Sequence, residues 1–142
     1  MILHQLMIGF AMIALTVVIH ASFMAAIQTA GPFATRVAVR RSPLRKALII
    51  IVVVIWLFVS ICTQCWAWAG LFRALVAFDT LEEALYFSTV TFTTLGYGDI
   101  VLGPEWRLLS AFASANGTII IGWTTALVFL TVQHVYIEHH DH

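Results

Sequence analysis

Charge is what this sequence has least of. Its 142 residues include seven Lys and Arg and seven Asp and Glu. That is 10% of the chain, against about 25% in an ordinary soluble domain, too little to coat a water-facing surface. The formal net charge is zero, which excludes a nucleic-acid binder resting on phosphate contacts, because such a surface needs a basic excess. The two cysteines, Cys62 and Cys65, are too few for a disulfide framework, and no second Cys pair accompanies them to hold zinc. What the chain has in quantity is apolar side chain, 61% of residues, with a mean hydropathy of +0.97. Its main solvent is lipid.

A hydrocarbon core about 30 Å thick needs about 20 mostly apolar residues of helix. Residues 2–30 contain no Asp, Glu, Lys or Arg and make a first span, which Gly31-Pro32 is expected to end. Residues 47–69 make a second, opening on an unbroken apolar run over 47–59, and residues 108–136 make a third. The first span has no basic segment ahead of it, and the basic cluster follows it, so it reads as a retained helix and not a cleaved signal peptide.

The signs of the few charges separate. Arg36, Arg40, Arg41, Arg45 and Lys46 lie between the first two spans, which places that connection on the cytoplasmic side. The N-terminus is then outside and the C-terminus cytoplasmic. Asp79, Glu82, Glu83, Asp99 and Glu105 all fall between the second and third spans, on the outside. The expected divisions are an N-terminal transmembrane helix (1–30), a basic loop (31–46), a main unit (47–136) and a short tail (137–142).

The outer segment is the unusual part. Residues 80–93 read TLEEALYFSTVTFT, a helix-like stretch with two candidate capping pairs, Asp79 with Glu82 and Thr80 with Glu83. At about 20 Å it is too short to cross a bilayer. Thr94-Leu95-Gly96-Tyr97-Gly98-Asp99 follows, with glycines that admit conformations closed to other residues. A short helix going in and about five extended residues climbing back roughly 15 Å make a re-entrant loop, which must be covered by protein. Backbone carbonyls along such a strand can replace the water shell of a cation. Thr94 adds a hydroxyl, and the preceding helix turns the negative end of its dipole toward the ion path.

Thr93-Thr94-Leu95-Gly96-Tyr97-Gly98-Asp99 resembles the selectivity filter of potassium channels, whose usual core is Thr-Val-Gly-Tyr-Gly. The resemblance covers residues 47–136 and implies an all-α integral membrane protein: three transmembrane helices, a re-entrant pore helix and a filter, assembled as the tetrameric potassium-channel pore fold. It implies ion sites at Thr94, Leu95, Gly96, Tyr97 and Gly98, filter support from Tyr86, Phe87, Thr91, Thr93 and Asp99, and an outer mouth carrying Asp79, Glu82, Glu83 and Glu105. Leu95 replaces valine, a mild change because its carbonyl serves the ion. Tyr86 and Phe87 stand where relatives often have a Trp pair; Tyr86 can still donate to Asp99, while Phe87 has no donor for Tyr97. Val90 stands where some relatives place a glutamate.

One chain supplies one filter strand and a ring of carbonyls needs four, so a homotetramer is expected in the plasma or bacterial inner membrane. It would pass potassium ions down their gradient with no catalytic step and no organic cofactor. The alternatives are a less selective monovalent cation channel and a non-conducting modulatory subunit. A membrane-embedded enzyme lacks the constellation it would need, since the intramembrane polar residues are His20, Asn116 and scattered hydroxyls.

Other residues carry paired readings. Gly117 and Gly122 are a hinge of the inner helix, as the resemblance implies, or sites of close helix packing. Asn116 faces a wet cavity or bonds between helices. His20 is a proton sensor or a neutral imidazole bonded to the second span. The tail residues His134, His139, His140, Asp141 and His142 bind a divalent ion or are a solvated end. Cys62 and Cys65 read as buried structural thiols, Trp66, Trp68 and Trp106 as interfacial anchors, and Trp56 and Trp123 as packing residues. Arg73 and Arg107 are expected to pair with mouth acids or to snorkel.

Overall fold

The computed structural model describes residues 2–38, 43–75 and 77–136. Among them run four helices and no strand: α1 (Ile2–Ala38), α2 (Pro43–Ala74), α3 (Leu81–Phe92) and α4 (Arg107–Tyr136). Three stretches are long and apolar enough to cross a membrane: Ile2–Thr29, Pro43–Ala74 and Arg107–Tyr136. Residues 49–55 of α2 are all Ile or Val, a composition that favours a strand in water. In lipid a lone strand leaves every N–H unpaired, and helix is the conformation that satisfies them all locally.

The first helix does not stop at Gly31-Pro32. It continues through that pair to Ala38, because an internal proline removes one hydrogen bond of the ladder while the remaining rungs carry on. The basic connection is therefore helical at both ends. The second helix starts at Pro43, a residue suited to a first helical position, where its missing N–H has no partner to lose. Arg40 and Arg41, and the tail residues His139, His140, Asp141 and His142, lie outside the described residues.

Helix α3 packs against α2 and α4, and α1 packs on those same two helices but not on α3. An aromatic cluster fills the α2–α3 contact. Phe72 meets Phe87 edge-on at 5.3 Å, and Phe78 lies 5.0 Å from Phe87. Trp68 is fully buried and 5.6 Å from Phe72, so it is a core residue and not an interfacial anchor. It shares the inward face of α2 with Ser60, Gln64 and Phe72, whereas Trp66 is exposed. Of the deeper tryptophans, Trp123 stacks on His20 at 5.0 Å, and Trp56 stacks on Phe23 and donates from Nε1 to the Phe23 carbonyl at 3.0 Å.

Buried polar contacts join the spans. Nδ1 of His20 lies 3.0 Å from Ser60 Oγ and 3.3 Å from Gln64 Nε2, so the imidazole bonds to the second span. Asn116 Nδ2 donates to Thr16 Oγ1 at 2.7 Å, an interhelical bond that resolves the two readings of that side chain. Lys46 lies 5.4 Å over the Tyr136 ring, a cation–π contact that ties the start of α2 to the end of α4.

Candidate functional site

The short helix α3 is held at both ends by its own sequence. Thr80 is the N-cap, its hydroxyl accepting from the Glu83 N–H at 3.1 Å, so the Thr80–Glu83 pair begins the helix. Glu82 and Glu83 lie in the first turn, where the helix dipole favours negative charge. Along its length, Ser88 Oγ donates to the Cys65 carbonyl at 2.7 Å and fastens α3 to α2. Cys65 is buried there with a free thiol, as expected.

At the C-terminal end the chain reverses through Thr94, whose φ is 60°. The Thr94 N–H returns to the Thr91 carbonyl at 3.0 Å, and the Leu95 N–H to the Val90 carbonyl at 3.0 Å. This is a left-handed helix cap of the kind glycine usually closes. The Gly96 N–H also reaches the Val90 carbonyl at 3.2 Å, while Thr93 Oγ1 donates to the Thr89 carbonyl at 2.8 Å. Three successive N–H groups of the TLGYG stretch are thus directed back at α3. Thr91 acts through its main-chain oxygen and Thr93 through its hydroxyl.

The left-handed conformation recurs at alternate residues: Thr94 at φ 60°, Gly96 at 53° and Gly98 at 77°. Glycine adopts it without penalty, but for β-branched Thr94 it is strained. Strain of this kind, about 1–3 kcal/mol, is retained where the surroundings over-determine it. Here two cap bonds do so. Among the described residues, no N–H or hydroxyl bonds to the carbonyls of Thr94, Leu95, Gly96, Tyr97 or Gly98. Five carbonyls in a row are left without an internal partner.

In a single protomer, residues 93–99 are all exposed, Leu95 at 55% and Tyr97 at 68%. Exposed non-helical backbone with unpaired carbonyls cannot face lipid. Beside them lies a groove of about 480 Å³. Phe87, Val90, Thr94 and Gly96 line one side, and Arg107, Ser110 and Ser114 of α4 line the other.

Above the glycines, Tyr86 donates its hydroxyl to Asp99 at 2.7 Å. That hydrogen bond holds the Asp99 carboxyl below its usual range and raises the Tyr86 hydroxyl. Tyr86 thus supplies a donor to Asp99, as expected. Phe87, which has no donor, is buried against Phe72 and Phe78 and serves as packing for α3. Asp79, Glu82, Glu83 and Glu105 are exposed.

The inner helix α4 meets the site through Gly117. A Cβ there would stand 1.7 Å from the Phe92 carbonyl oxygen, so only glycine lets α4 lie against the last turn of α3. Gly122 is different: a Cβ would meet nothing within 4 Å. Sequence reading missed the left-handed Thr94, because threonine carries no signal for that conformation. The available clue was its place directly after the last turn of a capped helix.

A family model described as an ion channel matches residues 47–134, well over half of the chain. Neither a curated protein nor a solved structure matches it. The matched stretch takes in almost all of α2, all of α3, the alternating loop and α4 nearly to its end, and it leaves α1 outside. Three membrane-length helices, a short capped helix and a loop of unpartnered carbonyls agree with the match, and the chain belongs to the ion-channel family of two-helix potassium-channel pore domains.

Proposed function

We propose that four copies of this chain surround a central axis and conduct potassium ions through a filter built from Thr94, Leu95, Gly96, Tyr97 and Gly98. The observation that carries the reading is the alternating left-handed backbone at Thr94, Gly96 and Gly98, together with five carbonyls that accept no internal hydrogen bond. Facing one axis in four copies, those carbonyls replace the hydration shell of a potassium ion at successive levels. Each level binds weakly enough to release its ion when another enters. The carbonyls of Val90 and Thr91 are occupied by the cap, so α3 contributes the field of its C-terminal end and not direct ligands. Tyr86 and Asp99 brace the outer end of the filter.

The tetramer also accounts for the exposure of the loop. The groove beside it and the bare Leu95 and Tyr97 become subunit contacts when a second copy is set alongside. With the basic residues on the cytoplasmic side, the N-terminus is outside and the mouth is ringed by Asp79, Glu82, Glu83, Asp99 and Glu105 of each copy. Such a ring concentrates cations and weakens as salt rises. In this reading α4 bends at Gly117 and Gly122 when the pore opens. Conduction involves no catalytic step and no organic cofactor, and potassium is the cargo.

The test is flux from liposomes holding the purified protein, with the native mass measured on the same sample. Potassium efflux far exceeding sodium efflux, at the mass of four chains, is the expected result. Equal fluxes would make this a less selective cation channel. A mass of two or three chains would end the tetrameric reading, and absence of flux would assign the protein a non-conducting role.

A further inference from the structure

Helix α1 lies outside the matched family region, yet it follows α4 along most of its length. At the outer end, Gln5 is almost fully buried, and its Oε1 accepts the Leu108 N–H at 3.2 Å. That N–H is one of the donors a helix start leaves without an internal partner. One turn on, a Cβ on Gly9 would stand 2.6 Å from the Phe112 ring, so the two helices are in close contact there. Next, Thr16 accepts from Asn116 at 2.7 Å, with both side chains fully buried. His20 then stacks on Trp123 at 5.0 Å while its Nδ1 is held by Ser60 and Gln64 of α2. Beyond that, Met24, Ile27 and Gln28 face Leu127 and Thr131 across a small crevice.

These contacts straddle the two glycines. Leu108, Phe112 and Asn116 precede Gly117, and Trp123 and Leu127 follow Gly122. Bending α4 between them moves Trp123 relative to Asn116, whereas α1 runs unbroken past both levels and is anchored to α2 through His20. With Asn116 held by Thr16 before the glycines and Trp123 held against His20 after them, the bend must pull one of these contacts apart or bend α1 with it. Inside a membrane a broken bond finds no water to replace it.

We infer that Gln5, Thr16 and His20 are positioning residues for α4, which make α1 a brace that keeps the inner helix straight across Gly117 and Gly122. The inference rests on the hinge of the proposed function and adds what restrains it. The chain thereby carries its own resistance to opening in a helix that the matched pore region does not contain.

The test uses the full-length protein in lipid nanodiscs. A spin label is placed at Phe129→Cys in a Cys62→Ala/Cys65→Ala background, and distances between copies are read by pulsed electron resonance. Phe129 is exposed and lies past both glycines. Thr16→Val keeps the shape and removes the hydroxyl; His20→Leu removes the link to Ser60 and Gln64. Each is expected to raise the bent population by about threefold, the factor for one interhelical hydrogen bond in a membrane, and to raise open probability with it. Thr16→Ser, which keeps the hydroxyl, should restore the narrow distribution, and so should Gly122→Ala added to Thr16→Val. If His20→Leu does not assemble, the isosteric Thr16→Val decides alone. Broad distributions already present in the unsubstituted protein and unchanged in the variants would overturn the brace while leaving the hinge standing. Distributions that stay narrow in every variant of a conducting channel would overturn the hinge and the brace together.

Discussion

Replacing Gly117 by alanine is the sharpest perturbation the fold offers, because the neighbour it meets is backbone. The new Cβ would lie 1.7 Å from the Phe92 oxygen, 2.6 Å from its carbonyl carbon and 3.0 Å from its Cα. No side chain can rotate away, so α4 and the last turn of α3 must separate by about 1.5 Å to regain van der Waals spacing. Overpacking of this kind costs about 1–3 kcal/mol per chain. The displaced turn is the one whose Val90 and Thr91 carbonyls hold Thr94, Leu95 and Gly96, so ion selectivity should suffer along with stability. Gly122→Ala is the control. It meets nothing within 4 Å and removes a helix-interior glycine, which is worth about 0.5–1 kcal/mol in favour of the folded helix. Thermal unfolding of the two variants should therefore move in opposite directions, with potassium-over-sodium flux reduced only in Gly117→Ala. A Gly117→Ala protein as stable and as selective as the unsubstituted one would refute the reasoning.

Three more outcomes follow from particular contacts. The Tyr86 bond lowers the Asp99 carboxyl, so the stability it lends is present above the ordinary value of 3.8 and is lost only as pH falls below it. Tyr86→Phe should move the acid midpoint of channel current upward, and an unmoved midpoint would deny the pair that role. Ser88→Ala removes the buried bond from α3 to the Cys65 carbonyl and should lower stability by about 1 kcal/mol per chain in chemical denaturation, with little change in selectivity. Val90→Glu places a carboxyl in the groove beside residues 94–98; macroscopic current decay should change, and identical decay would show that this position does not control inactivation.

The spans were readable because their logic is local. Long runs free of charge have to be helices in lipid, and α4 begins within one residue of its expected start. The short helix was readable for the same reason: Thr80 caps it and Thr93 closes it, within the stretch the sequence marked out. What stayed hidden depends on the neighbours. Gly31-Pro32 looks like a stop, but a single missing rung does not end the helix. Trp68 looks like an interfacial anchor until Phe72 and the packing of α3 bury it. Only three-dimensional proximity decides that Asn116 belongs to Thr16 and His20 to Ser60. Of the candidate site, the glycines of TLGYG were legible as positions needing left-handed backbone. Thr94 was not, because its conformation is imposed by the cap at Val90 and Thr91 and not by its own side chain.

Under the proposed function, the loop at residues 94–98 selects potassium. The direct measurement is the reversal potential of single channels in a planar bilayer, with potassium on one side and sodium replacing it stepwise on the other. The account predicts a reversal potential that follows the potassium gradient alone, shifting by about 59 mV for each tenfold change. A reversal potential that stays near zero when sodium replaces potassium would contradict it.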